Sequence, residues 1–197
     1  DGDTVYVSDY RGVVTAYDKL KGKKQWRTKL GAEISAAVGA ADGALYLGGR
    51  EGELFALSKA DGSLLWRTQL SGEILAAPNA GLGMVVVQTS DGALHGVANS
   101  SGEIVWTNRR SVPSLSLRGT SSPVVDNDLV LTGMANGRML ALSILDGRVV
   151  WEAPIGVPQG RTELQRMTDV DAKPLVDGGL IYAAAYQGRV AAVARET

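Results

Sequence analysis

A glycine stands fourteen residues before a tryptophan four times over in this chain: Gly12 and Trp26, Gly52 and Trp66, Gly92 and Trp106, Gly137 and Trp151. The protein has 197 residues and four tryptophans, so every tryptophan occupies the same repeat position. The four segments read GVVTAYDKLKGKKQW, GELFALSKADGSLLW, GALHGVANSSGEIVW and GRMLALSILDGRVVW. A fifth copy begins at Gly188, and the sequence ends before its tryptophan position. Self-similarity carried along the whole chain restricts it to a repeat architecture.

The five glycines step by forty, forty, forty-five and fifty-one residues. A period near forty suits helical repeats and propeller blades alike, so the pattern inside the repeat must choose. Runs such as Val5-Tyr6-Val7, Leu45-Tyr46-Leu47 and Leu129-Val130-Leu131 are bounded by Asp-Gly, Asn-Gly or Ser-Gly pairs. That is the punctuation of strands joined by hairpins. The 25 glycines would also weaken helices badly. The second repeat predicts four strands, a to d: Glu33–Ala40, Ala44–Gly48, Glu53–Ser58 and Ser63–Leu70. A four-stranded antiparallel unit repeated at this period is a β-propeller blade.

Strand c is apolar on both faces, which fits a sheet packed between two neighbours. One face always carries a small residue, Ala16, Ala56, Gly96, Ala141 or Ala192. The space it leaves is expected to hold a strand-d tryptophan at the contact with the next blade. Trp26, Trp66, Trp106 and Trp151 are therefore expected to be structural, each covering roughly 150–250 Å². The fold expected is an all-β propeller with blades at 1–30 (strands b to d), 31–70, 71–110, 111–155 and 156–197 (strands a to c). The first residues already belong to a repeat and no signal peptide precedes them, so the chain is expected to be a fragment of something longer. Its incomplete end blades would leave an open arc with unpaired edges.

Bulk properties narrow the function. The net charge of −1 argues against nucleic acid or an anionic membrane surface as the main partner. The chain has no cysteine, which removes disulfides and thiolate metal sites. No apolar run approaches a membrane span. The lone histidine, His95, replaces Thr15, Phe55 and Leu140 of other repeats and is expected to be a packed strand residue. A triad or a histidine-based metal site needs more than this chain offers. The Asp-Gly turns open no helix and are not phosphate loops. No catalytic, cofactor or metal residues are expected.

The repeat lengthens only between strand d and the following blade. The added residues fall in Arg110–Gly119 (RSVPSLSLRG) and Gly156–Asp171 (GVPQGRTELQRMTDVD). Strands alternate in direction, so both insertions must emerge on the same face of adjacent blades. Function commonly rides on such loops over a rigid scaffold. The first carries Leu115 and Leu117, unusual for a loop, and the second carries Asp169 and Asp171 near Arg161 and Arg166. A composite docking surface is expected, apolar on one part and charged on the other. On the residues alone, the leucines tucked over a blade edge and the aspartates paired with those arginines remain open alternatives.

The repeat GxLxALxxxDGxxxW resembles the PQQ-type blade of quinoprotein dehydrogenases. The insertions VPSLSLRG (Val112–Gly119) and TDVD (Thr168–Asp171) more narrowly resemble the BamB family, propeller lipoproteins of the outer-membrane β-barrel assembly (BAM) machinery. That resemblance implies an arc of an eight-bladed ring and a place on the periplasmic face of the bacterial outer membrane. It also implies a non-catalytic scaffold bound to a POTRA domain of BamA, the barrel-inserting subunit. The contact positions it implies are Leu115, Leu117, Arg118, Asp169 and Asp171. Arg118 would point away from the leucines of an extended segment and so orient the loop. The lipid-bearing cysteine of the family is not in this sequence.

The alternative is a quinoprotein enzyme. The resemblance to that group implies a stacking tryptophan, calcium and carboxylates in a central funnel, whereas all four tryptophans here are committed to the repeat. A third reading, in which sheet edges pair with extended strands of unfolded outer-membrane proteins, stays open at this stage.

Overall fold

The computed structural model describes residues 2–187 and 189–196. Gly188, the expected start of the fifth repeat, lies outside the described residues. The first sheet holds β1 (Thr4–Ser8), β2 (Val13–Asp18) and β3 (Lys24–Lys29). The second holds β4 (Gly39–Ala41), β5 (Ala44–Gly48), β6 (Glu53–Ser58) and β7 (Leu64–Gln69). The third holds β8 (Asn79–Gly81), β9 (Met84–Gln88), β10 (Ala93–Ala98) and β11 (Ile104–Arg109). The fourth holds β12 (Val124–Asp126), β13 (Leu129–Gly133), β14 (Arg138–Ser143) and β15 (Val149–Pro154). The fifth holds β16 (Leu175–Asp177), β17 (Leu180–Ala185) and β18 (Arg189–Ala194). Every sheet is an antiparallel meander in chain order, the pattern of propeller blades.

Turn chemistry sets the hairpins. Between β4 and β5, Asp42 and Gly43 both take positive φ, 46° and 78°. Leu82 and Gly83 do the same between β8 and β9, at 50° and 76°. Such turns match the twist of the strands they join.

The apolar faces close four seams, one between each pair of neighbouring sheets. Tyr46, Leu54 and Trp66 of the second sheet meet Val85, Val87 and Val97 of the third. Val86, Leu94 and Trp106 meet Val130, Leu140 and Leu142 of the fourth. Each indole N–H then donates to a carbonyl of the following sheet: Trp26 to Lys59 at 3.0 Å, Trp66 to Asn99 at 2.7 Å, Trp106 to Ile144 at 2.8 Å and Trp151 to Arg195 at 2.9 Å. The receiving turn must be flat to admit the ring. A Cβ on Gly147 would lie 2.4 Å from Trp106 Cε3, so only glycine fits there.

Two sequence expectations need correction. The small strand-c residues do not receive a tryptophan across the blade contact. Ala16, Ala56, Gly96 and Ala141 each pair with the tryptophan of their own sheet. A Cβ on Gly96 would lie 2.1 Å from Trp106 Cε2. The register shifts beside each of these pairs, leaving Gln25, Leu65, Val105 and Val150 as the extra residues. Such a bulge re-aims the next side chain, and the indole lies over the small residue while its N–H reaches the next sheet. The first strand of the second sheet is also shorter than the expected Glu33–Ala40, running only over Gly39–Ala41. Upstream, a single bridge joins Ile34 to Gly49. Between that bridge and Gly39 the ladder is irregular: the Ser35 and Ala36 amides both donate to the Gly48 carbonyl, at 3.1 and 3.2 Å, which breaks the alternation a longer strand needs.

Candidate functional site

The insertions join β11 to β12 and β15 to β16. They lie on one side of the molecule and touch. The Leu117 N–H donates to Asp169 Oδ1 at 3.1 Å, and Ser121 Oγ donates to the Ala172 carbonyl at 3.0 Å. Gly119 lies against the Asp171 carboxylate, where a Cβ would come 2.9 Å from Oδ2.

The second insertion is strapped to the scaffold at its end. Val170 N–H donates to the Met134 carbonyl at 3.1 Å, and Tyr186 N–H to the Asp169 carbonyl at 2.7 Å. Met134 and Tyr186 belong to the turns after β13 and β17. Met167, Thr168, Asp169 and Val170 are consequently buried. The middle of the insertion forms a 3-10 turn, Leu164–Arg166, which buries no residue.

The expected site residues fall into two groups. Leu115 is 42% exposed at the rim, and Leu117 is half-buried behind it. Arg118 is exposed and its Nη2 reaches Glu73 at 2.9 Å. Asp171 is half-buried, whereas Asp169 is only 1% exposed. Asp169 therefore sits inside the joint and braces the Leu117 amide. Among the described residues no ion pair joins Asp169 or Asp171 to Arg161 or Arg166.

The buried charge at this joint is only partly compensated. Burial pushes the Asp169 carboxyl above the ordinary aspartate value, with only partial relief from the Leu117 amide. Its Oδ2 is buried with no hydrogen-bond partner among the described residues. Burial raises Asp171 too, and the neighbouring Asp169 charge adds to the effect. A cavity of about 290 Å³ lies beneath the first insertion, lined by Leu117, Arg118, Glu73 and Asp171 among others. A groove of about 230 Å³ runs between the insertions, with Leu115 and Pro113 on one wall and Pro158 and Arg166 on the other.

Sequence reasoning missed Glu73, yet the repeat carried its signal. Glu33 holds the equivalent position forty residues earlier and pairs with Arg50 at 3.1 Å. The Arg50 and Ser90 amides donate to the Glu33 and Glu73 carbonyls alike, both at 2.9 Å, so the two backbones match. The third repeat has Ser90 where the second has Arg50, which leaves Glu73 free for Arg118.

His95 is 2% exposed, with Nδ1 3.1 Å from Thr107 Oγ1 and Nε2 3.3 Å from Ser71 Oγ. Burial lowers its pKa below the usual histidine value, against the pull of Asp91. It is a packed strand residue.

Residues 10–197 match the family model described as "Outer membrane protein assembly factor BamB". The curated protein of that name from Alkalilimnicola ehrlichii is 61% identical over 98% of this chain and 50% of its own length. The one from Pseudomonas aeruginosa is 54% identical over 98% of this chain and 51% of its own length. The chain thus spans about half the length of the curated relatives it matches. The crystal structure of BamB from Moraxella catarrhalis superposes with a TM-score of 0.93 at 30% identity, over 99% of this chain and 59% of that one.

Proposed function

This chain belongs to the family of outer membrane protein assembly factor BamB, and from that premise we propose that it is a non-catalytic scaffold of the outer-membrane protein assembly machinery. It docks on a POTRA domain of BamA through the two inserted connections and so positions its partner for β-barrel insertion. In this reading the protein works at the periplasmic face of the bacterial outer membrane. One observation carries the proposal: two connections from adjacent sheets lock together through Leu117 and Asp169 while Leu115 stays exposed at their rim. An exposed leucine on a braced loop suits a partner contact, since a loop already held in place loses little conformational freedom when its apolar side chain is covered.

The residues divide the work. Leu115 and Leu117 present apolar surface. Arg118, tied to Glu73, fixes the end of the first loop. Asp169 holds the Leu117 backbone in place, and Asp171 supports the Gly119 turn. The test is co-purification with the POTRA region of BamA. Leu115→Glu together with Leu117→Glu should abolish it while the melting temperature stays within a few degrees of the parent. Undiminished co-purification would refute the docking assignment.

A further inference from the structure

The 3-10 turn Leu164–Arg166 is built with more care than its burial justifies. Gln165 Oε1 accepts the Arg161 N–H at 2.9 Å and the Thr162 N–H at 3.3 Å, while the Gln165 N–H donates to Thr162 Oγ1 at 3.3 Å. This is the reciprocal pairing of a capping box, and Thr162-Glu163-Leu164-Gln165 has its sequence signature. Gln187, from the turn after β17, donates to the Leu164 and Gln165 carbonyls, both at 3.4 Å. Five hydrogen bonds therefore fix a turn that contributes nothing to any core. What it does is hold Leu164 outward, 64% exposed. Arg161 and Arg166 flank that leucine, and neither makes an ion pair among the described residues.

We infer that Leu164, Arg161 and Arg166 form a second docking contact, which takes an acidic, amphipathic segment of the same protein partner. The inference rests on the docking reading above and extends its surface. The groove between the insertions makes the two contacts continuous, since Leu115 and Arg166 both line it. An apolar side chain of the partner would cover Leu164, and carboxylates beside it would meet the two unpaired guanidinium groups. Pre-ordering of the turn lowers the entropic cost of that contact. An anionic lipid surface is the competing occupant for a cationic apolar patch. Glu163 between the two arginines, and the continuity with the leucine loop, favour a protein.

The experiment measures affinity of the purified chain for the POTRA region of BamA by titration calorimetry at two salt concentrations. Leu164→Ala should weaken binding about tenfold, and Arg161→Glu with Arg166→Glu should weaken it more and flatten its salt dependence. Thermal melting of both variants should match the parent, because the substituted side chains are exposed. Parent-like affinity in both, with the Leu115→Glu and Leu117→Glu pair still unable to bind, overturns this inference and leaves the docking reading standing. No binding by the parent chain overturns both. Titration with phosphatidylglycerol vesicles is the last arm. Vesicle binding that depends on Arg161 and Arg166, with POTRA affinity unchanged in the same variants, assigns the patch to lipid and overturns the inference.

Discussion

Where the second sheet meets the third, Tyr46 and Trp66 lie against Val85 and Val87, and the one polar group of the indole finds the Asn99 carbonyl. Where the first insertion meets the second, the joint is a backbone amide on a carboxylate whose other oxygen is buried and unpartnered. The first kind of seam recurs four times with the same atoms. The second occurs once and breaks the rule that buried charge is paired. A blade contact removes apolar area from water and satisfies the indole N–H it buries. The insertion joint carries an electrostatic penalty that the rest of the fold offsets. Local violations of this kind concentrate where a surface is shaped for function rather than stability.

The largest test of that contrast is Trp66→Ala. It should lower unfolding free energy by about 3–5 kcal/mol in urea titrations, and a loss under about 1 kcal/mol would mean that the indole seams are not what holds the sheets. Next comes Asp169→Ala, which strands the Leu117 amide and should cost about 1–3 kcal/mol. Asp169→Asn keeps an acceptor and removes the charge, so it should be at least as stable as the parent at neutral pH.

The pH dependence has a definite sign. Asp169 and Asp171 have folded pKa values raised above the ordinary aspartate value. The stability gained by protonating them is present in full below the ordinary pKa and is lost as pH rises through the raised folded values. The difference between the parent and Asp169→Asn should therefore grow with pH across that window. A difference independent of pH would show that the joint bears no charge penalty, and the contrast between the seams would dissolve.

Two smaller effects sharpen the comparison. Leu82→Gly should stabilise the chain by about 1 kcal/mol, because Leu82 holds a left-handed φ of 50°. It would show that strain also exists inside the repeat, at a turn far simpler than the insertions. Glu73→Ala and Glu33→Ala should each change stability by less than about 1 kcal/mol, since both pairs are partly exposed. They should differ in amide exchange: only Glu73→Ala should speed exchange across residues 111–119. Equal exchange in the two variants would mean that Arg118 does not tether the loop.

The strands could be read from the sequence because their signals are local. Ala44–Gly48 and Glu53–Ser58 follow from alternation bounded by glycine turns, and the structure has β5 and β6 over those residues. The innermost strand is shorter than its pattern suggested because the Ser35 and Ala36 amides share one carbonyl, Gly48, an irregularity that no local signal announces. Within the candidate site, the unusual leucines and the lengthened connections stood out in the chain itself. The burial of Asp169 did not, since acidity in a loop ordinarily means exposure. Glu73 was hidden for a related reason: its partner Arg118 lies forty-five residues away, across a blade contact.

By itself the sequence determined the repeat, the turns, the apolar faces and the places where the connections lengthen, because each depends on residues near one another in the chain. Only the tertiary structure decided which tryptophan covers which small residue and which carboxylate is desolvated. It alone also decided that a turn with nothing to bury is held rigid with Leu164 facing outward. Those outcomes depend on distances between separate sheets, and the same side chain has opposite energetics depending on whether its neighbour there is water, a backbone amide or another carboxylate.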